Sequence, residues 1–339
     1  MVSGKKTNMK ALVTGATGFI GSHLVERLIH DGFEVRALVR KRDNETRKDT
    51  FELLKKLNVE IFEGDLLDKG SLKKIGKEID VVFHLAAIAR PMAIPNELYF
   101  KINEKGTDNL FEVCLDEGVK KIVMMSSVSA VGPSKDGNAV NEETDCNPVD
   151  IYGWSKLAQE KIAFEYINRG LQVILLRPPM VFGPRDFEML RLFKAANRGF
   201  FPVKSKNKCF EFLYVENLVE ACLLALENGK IGETYHITNG EPYSINDIMN
   251  SIGNSLRKDI TQLNFPSFIF NIIGNFVESI GKIFSFHPPF KHDTVNWMTQ
   301  KLWYSNPNKS KRELNYNPKF TLNEGVKKTV NYYQKIKCL

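Results

Sequence analysis

A run of glycines near the start of the chain narrows the fold more than any other feature. Lys10 to Thr14 (KALVT) is a short apolar run that reads as a buried strand. Gly15-Ala-Thr-Gly18-Phe-Ile-Gly21 follows, and then a helical pattern, HLVERLIHDG, that stops at Gly32. Strand, glycine turn and helix, in that order, are the context of a dinucleotide fingerprint. Gly15 permits the tight turn, Gly18 lets backbone approach a pyrophosphate, and Gly21 lets the helix pack on the strand. The helix N-terminus offers N–H groups and the positive end of its dipole to phosphate. Thr17, Phe19 and Ile20, lying between these glycines, are expected in the same cradle.

Strand and helix patterns go on alternating. Glu34–Val39, Val59–Phe62 (ending in Gly64-Asp65-Leu66), Val81–Leu85 (running into Ala86-Ala87), Lys121–Met125 (entering Ser126-Ser127) and Gln172–Leu176 (ending in Arg177-Pro178) read as strands. Glu97–Glu117 and Tyr152–Asn168 read as long helices, Phe212–Leu226 as a short strand leading into a helix, and Thr234–Thr238 as a further strand. Such alternation implies right-handed crossovers in an α/β fold. The expected architecture is a Rossmann-type doubly wound parallel sheet of about seven strands, with a smaller mixed α/β C-terminal part that binds substrate. The dinucleotide-binding domain is expected over 1–177, with 208–240 returning to it, and the substrate-binding part over 178–207 and 241–339. Ligands of such sheets lie at the carboxyl ends of the strands, which is where Asp65, Leu66, Ala86, Ala87, Pro178 and Val181 fall.

Composition excludes several classes. The 47 basic and 40 acidic residues give a net charge of +7, but they are interspersed and form no nucleic-acid module. Five cysteines without a CxxC pair suit a reducing cytoplasmic compartment, and Cys114, inside a helix, reads as packing. The six histidines include no HxxxH pair, so no metal site is expected. Met1 to Asn8 carries no apolar signal region, and no uninterrupted apolar run reaches the ~20 residues needed to span a bilayer.

The chemistry gathers at Tyr152-Gly-Trp-Ser-Lys156. A tyrosine hydroxyl titrates near ~10, too high for a base at neutral pH. Lys156 falls four residues later on the same helical face, and its ammonium favours the tyrosinate. Ser127, at the end of its strand, can hydrogen-bond a substrate oxygen during proton transfer. Together with TGATGFIG at 14–21, DVVFHLAA at 80–87, Asn103 with Gly106-Thr107, and RPPMVFGP at 177–184, these residues resemble the extended short-chain dehydrogenase/reductase family. The NAD-dependent epimerase/dehydratase and 3β-hydroxysteroid dehydrogenase-like branches are the most similar. The resemblance implies that Ser127, Tyr152 and Lys156 are catalytic, that Lys156 also grips the nicotinamide ribose, and that Asn103 lies near the active site. It further implies a homodimer formed through 97–117 and 152–168.

Departures from the family narrow the chemistry. Dehydratase members place an Asp-Glu pair where this chain has Val128 and Ser129. Epimerases carry Asn at the position of Met180 and a phosphate-binding Arg near Phe210. The expectation is an NAD(P)-dependent oxidoreductase interconverting a secondary alcohol and a ketone on a largely apolar hydroxylated substrate. A sugar-nucleotide epimerase is the alternative, with Arg185, Arg191 or Lys194 meeting its phosphates, and a non-catalytic cofactor-sensing module is the third reading. At the end of the second strand Val39 stands where an NAD-specific acid is expected and Arg40 follows, which favours NADP over NAD. Asp65 is expected at the adenine. Apolar residues recur at helical spacing over 266–286, which suits core docking, a lid over an apolar substrate, or a peripheral membrane contact.

Overall fold

The computed structural model describes residues 9–88, 94–203, 208–264 and 302–339. The apolar stretch at 266–286 lies outside them. Seven parallel strands make the main sheet: β1 (Lys10–Thr14), β2 (Glu34–Val39), β3 (Glu60–Glu63), β4 (Val81–His84), β5 (Lys121–Met125), β6 (Val173–Arg177) and β10 (Thr234–His236). Their spatial order is β10-β6-β5-β4-β1-β2-β3, the doubly wound arrangement that the alternation predicts. Along β1 the side chains alternate between two cores. Ala11 and Val13 join one cluster with α1 (Phe19–His30), while Leu12 joins the other.

Two short helices, α2 (Asp43–Thr46) and α3 (Lys48–Lys56), link β2 to β3. Their sequence is dense in charge, and Leu54 is the buried residue of α3, so the apolar stripe is too narrow to read. The stretch expected as one helix over Glu97–Glu117 divides into α4 (Asn96–Phe100), a π-helical turn at Lys101–Lys105, and α5 (Gly106–Asp116). The wider turn lets Asn103 sit fully buried, bonded to the segment after β4. The helix expected at Tyr152 begins one residue earlier, as α6 (Ile151–Asn168), capped by Asp150.

The smaller part holds α7 (Leu190–Asn197), a three-stranded sheet of β7 (Met180–Phe182), β9 (Cys209–Tyr214) and β11 (Pro242–Ser244), and the pair β8 (Phe200–Val203) with β12 (Thr261–Asn264). Because β9 joins this sheet, the chain's return to the main sheet is made by α8 (Val215–Asn228) and β10. Three further helices follow: α9 (Ile245–Leu256), α10 (Asn308–Leu314) and α11 (Leu322–Lys335). Capping boxes at Ser244–Asp247 and Thr321–Glu324 start α9 and α11.

Glu211 of β9, 2% exposed, joins three segments: its carboxyl accepts from the Ser305 amide (3.0 Å), the Ser305 hydroxyl and the Thr238 hydroxyl. Ser305 in turn bridges to Val140 of the loop that leads into α6. Burial pushes the Glu211 carboxyl up to about 7.

Two stability predictions follow from this packing. A Cβ on Gly21 would lie 2.1 Å from the Gly15 carbonyl oxygen. Gly21→Ala therefore lowers stability by ~1–3 kcal/mol or more, read from urea denaturation. Glu211 binds its proton more tightly in the folded protein, so its contribution is complete below the unfolded carboxyl range and is lost as pH rises through about 7. Relative to Glu211→Gln, the wild type thus loses up to ~3 kcal/mol between pH 4.5 and pH 8. A pH-independent gap in denaturation midpoint between the two proteins would contradict this.

Candidate active site

The turn after β1 is made by backbone pressed against backbone. Gly15 has φ +72°, and a Cβ there would stand 2.9 Å from the Ala86 nitrogen at the end of β4. Gly18 closes the turn by donating to the Gly15 carbonyl (2.8 Å), and its own Cβ would meet that oxygen at 2.9 Å. Phe19 and Ile20 are half-buried and pack onto the core beneath. This cradle has no room for side chains and ends in the N-terminus of α1, which suits the pyrophosphate of a dinucleotide.

The wall beside the cradle is cationic. Arg47 donates to the Thr17 carbonyl (3.2 Å) and lies 3.6 Å from where a Gly18 Cβ would be. Burial draws the Arg47 guanidinium below its ordinary range; neighbouring Arg40 and Arg42 act in the same direction, and Asp43 opposes them. Asp43, itself buried, accepts from the Thr17 hydroxyl (3.2 Å) and from the Arg40 guanidinium (2.9 Å). On the same side of the sheet, the Asp65 carboxylate accepts from the Leu67 amide (2.9 Å), and Asn109 donates to the Leu66 carbonyl (2.7 Å).

The second half of the site is assembled where α6 meets β5. A Cβ on Gly153 would lie 2.4 Å from the Ser129 carbonyl oxygen, so the glycine in Tyr-Gly-Trp-Ser-Lys lets the first turn of α6 press onto the Ser127 turn. Ser127 is extended (φ −159°), and its Oγ accepts from the Ser129 amide (3.1 Å). The neighbouring Val128 amide donates to the Pro178 carbonyl (3.1 Å), and Val181 is buried behind it. Lys156 is 1% exposed, and its ammonium donates to the Met125 carbonyl (2.6 Å), two residues before Ser127. Burial brings Lys156 down to about 7, with Glu160 opposing the shift. Tyr152 precedes Lys156 by one helical turn and is half-buried.

Expected site residues thus come together in two groups, Gly15–Gly21 with Ala86, and Ser127 with Tyr152 and Lys156. Asn103 stands apart from Lys156. Its side chain exchanges hydrogen bonds with the Ile88 backbone (2.8 and 3.1 Å) and donates to Ser155 Oγ (2.9 Å). It shapes the wall that runs on from half-buried Ala86 and Ala87.

Other residues support the site without belonging to its motifs. Arg177 and Glu160 form a buried two-point ion pair (2.8 and 2.7 Å) that fixes α6 to β6, and the Ser126 hydroxyl donates to the same Glu160. The His84 ring lies between Thr14 (2.7 Å) and Thr107 (2.8 Å). Spacing alone holds a clue to two more: Gln159 follows Lys156 by three residues on one helical face, and Asp43 follows Arg40 by three.

Comparison with known proteins fits this geometry. Residues 11–238 match the NAD dependent epimerase/dehydratase family. The mouse sterol-4-alpha-carboxylate 3-dehydrogenase, decarboxylating, is 26% identical over 97% of this chain and 92% of its own. An Arabidopsis thaliana 3beta-hydroxysteroid-dehydrogenase/decarboxylase is 29% identical over 97% of this chain and 62% of its own. Among solved structures, the Thermotoga maritima UDP-glucose 4-epimerase with UDP-glucose is 26% identical, with TM-score 0.79, over 97% of this chain and all of its own. The Bacillus cereus UDP-glucuronic acid 4-epimerase in complex with UDP-glucuronic acid and NAD is 25% identical, with TM-score 0.78, over the same shares. Fold, glycine cradle and matched residues agree: the chain belongs to the NAD dependent epimerase/dehydratase family of enzymes, within the extended short-chain dehydrogenases/reductases.

Proposed function

We propose that this enzyme interconverts a secondary alcohol and a ketone on a largely apolar hydroxylated substrate, through Ser127, Tyr152 and Lys156. The observation that carries the proposal is the buried Lys156 ammonium, fixed to the end of β5 one helical turn from Tyr152. A cation there favours the tyrosinate, so the Tyr152 oxygen takes the proton of the alcohol or returns it to the ketone. Ser127 holds the substrate oxygen. A nicotinamide cofactor, when bound, accepts or supplies the hydride, with Gly15–Gly21 and α1 receiving its phosphates.

Three features support an apolar substrate. Met180 and Phe210, half-buried on neighbouring strands β7 and β9, stand where sugar-nucleotide enzymes carry Asn and Arg. Of the cations open to a phosphate-binding role, Arg185 is bonded to Glu26 and lies against His23, while Arg191 and Lys194 are exposed on α7. The relatives that cover most of the chain include sterol dehydrogenases. The large exposed side chains Trp154 and Phe164 on α6 support a homodimer formed through that helix and α5. No helix among the described residues is long and apolar enough to cross a membrane.

Turnover of sterol-like or long-chain hydroxy compounds is expected to release reduced cofactor, seen at the nicotinamide absorbance band. UDP-sugar turnover without that absorbance would establish the epimerase reading instead. Tyr152→Phe is expected to lower kcat by ~100-fold or more while cofactor affinity stays within about twofold. Arg40, reinforced by Arg47, favours a 2′-phosphate. Arg40→Ala should therefore weaken NADP binding about tenfold and leave NAD unchanged, read by titrating both cofactors. NAD binding that is tighter than NADP binding, and that survives the substitution, would refute the preference.

A further inference from the structure

What holds Lys156 in place is a chain of buried side chains that crosses the sheet. Lys156 Nζ donates to the Met125 carbonyl and to the side-chain oxygen of Gln159, also on α6. Gln159 Nε2 donates to Thr107 Oγ1 (2.8 Å) on α5. Thr107 spends its own proton on the Asn103 carbonyl (2.6 Å), so its oxygen can only accept from His84 Nε2, 2.8 Å away. That fixes the histidine tautomer. His84 Nε2 carries the hydrogen, and Nδ1 accepts from the Thr14 hydroxyl (2.7 Å), whose oxygen receives the Ala86 amide (3.2 Å). The 3.3 Å approach of Gln159 Nε2 to His84 Nε2 is then two donors side by side, a contact and not a bond. Thr14, His84, Thr107, Gln159 and Lys156 are all at most 1% exposed.

Such a chain orients the ammonium and does not conduct its protons, because Gln159 receives at a carbonyl oxygen and gives from an amide nitrogen. An ammonium has three donors, and two of these are fixed, so the direction of the third is set. The charged and titratable groups around Lys156 are Tyr152 and Glu160 of its own helix, Arg177 of β6 paired with Glu160, and His84 of β4. Burial holds His84 down to about 3, so it is neutral. Among the hydrogen bonds of the chain, β5 adds a carbonyl and α5 a hydroxyl.

We propose that Gln159 is a positioning residue for Lys156: its side-chain oxygen keeps the buried ammonium protonated and aimed, and its amide ties that aim through Thr107 and His84 to the turn at Gly15. The inference rests on the proposed role of Lys156. Burial already brings Lys156 down to about 7, so loss of one acceptor is felt at neutral pH.

The test observes the ammonium directly, by NMR of the full chain carrying ¹⁵N-labelled lysine. The Lys156 signal is assigned by its loss in Lys156→Ala and is titrated with pH. Gln159→Met, similar in shape but without the acceptor, is expected to lower the midpoint by about one pH unit. Gln159→Glu raises it, and Thr107→Val lowers it by less than Gln159→Met does. The Glu variant serves if the Met variant does not fold. Midpoints unchanged in both Gln159 variants would overturn the proposal. Turnover measured in Lys156→Ala judges the catalytic reading separately: full activity there would remove Lys156 from catalysis without altering what the titration says of Gln159.

Discussion

The molecule depends on places where one stretch of backbone lies directly against another. A Cβ at Gly21 would fall 2.1 Å from the Gly15 carbonyl oxygen, and one at Gly153 would fall 2.4 Å from the Ser129 carbonyl oxygen. The first contact seats α1 against the end of β1 and leaves its N-terminus open to a phosphate. The second seats α6 against the end of β5 and brings the Tyr152–Lys156 turn beside Ser127. Both lie at carboxyl ends of neighbouring parallel strands, where this kind of sheet leaves its crevice. The two halves of the site are thus placed by the same device, a missing side chain, used on either side of β4.

Electrostatics then act on what the packing has arranged. Lys156 is charged and almost fully buried, a costly combination unless its donors are satisfied. The Met125 carbonyl and the Gln159 amide supply two acceptors, and Glu160 supplies a negative charge one turn away. Glu160 is itself held by Arg177 and Ser126, so the charges form a compact group linking α6, β5 and β6. A cation poised this way can change the acidity of a neighbouring phenol without large rearrangement.

Much of this was legible in the sequence, for reasons that can be named. The strands of the main sheet are short, apolar and punctuated by glycine or small polar residues, so their positions and order could be read. Gly15, Gly18, Gly21, Ser127, Tyr152 and Lys156 stand in motifs whose spacing carries a mechanism. The residues that stayed silent act through partners distant in the chain: His84 meets Thr14 and Thr107, and Glu160 meets Arg177. Asp43 was hidden in a charge-dense stretch with almost no apolar period. Asn103 was read as part of an unbroken helix because a π-helical turn leaves no mark in a 3.6-residue pattern.

That turn sets a rule for chain length in this part of the molecule. A π-helical turn holds an extra residue within an otherwise regular helix. Removing one residue between Lys101 and Lys105 would let the helix run straight, but it would rotate everything after it by ~100° relative to α4. Thr107 would swing away from His84, and Gly106 would leave its close seat on Leu66, where a Cβ would stand only 3.0 Å off. A single-residue gap in this helix should therefore be far less tolerated than gaps of several residues in the polar loop at 134–148. Chains that carry one can be expected to build the wall behind their catalytic lysine from different residues.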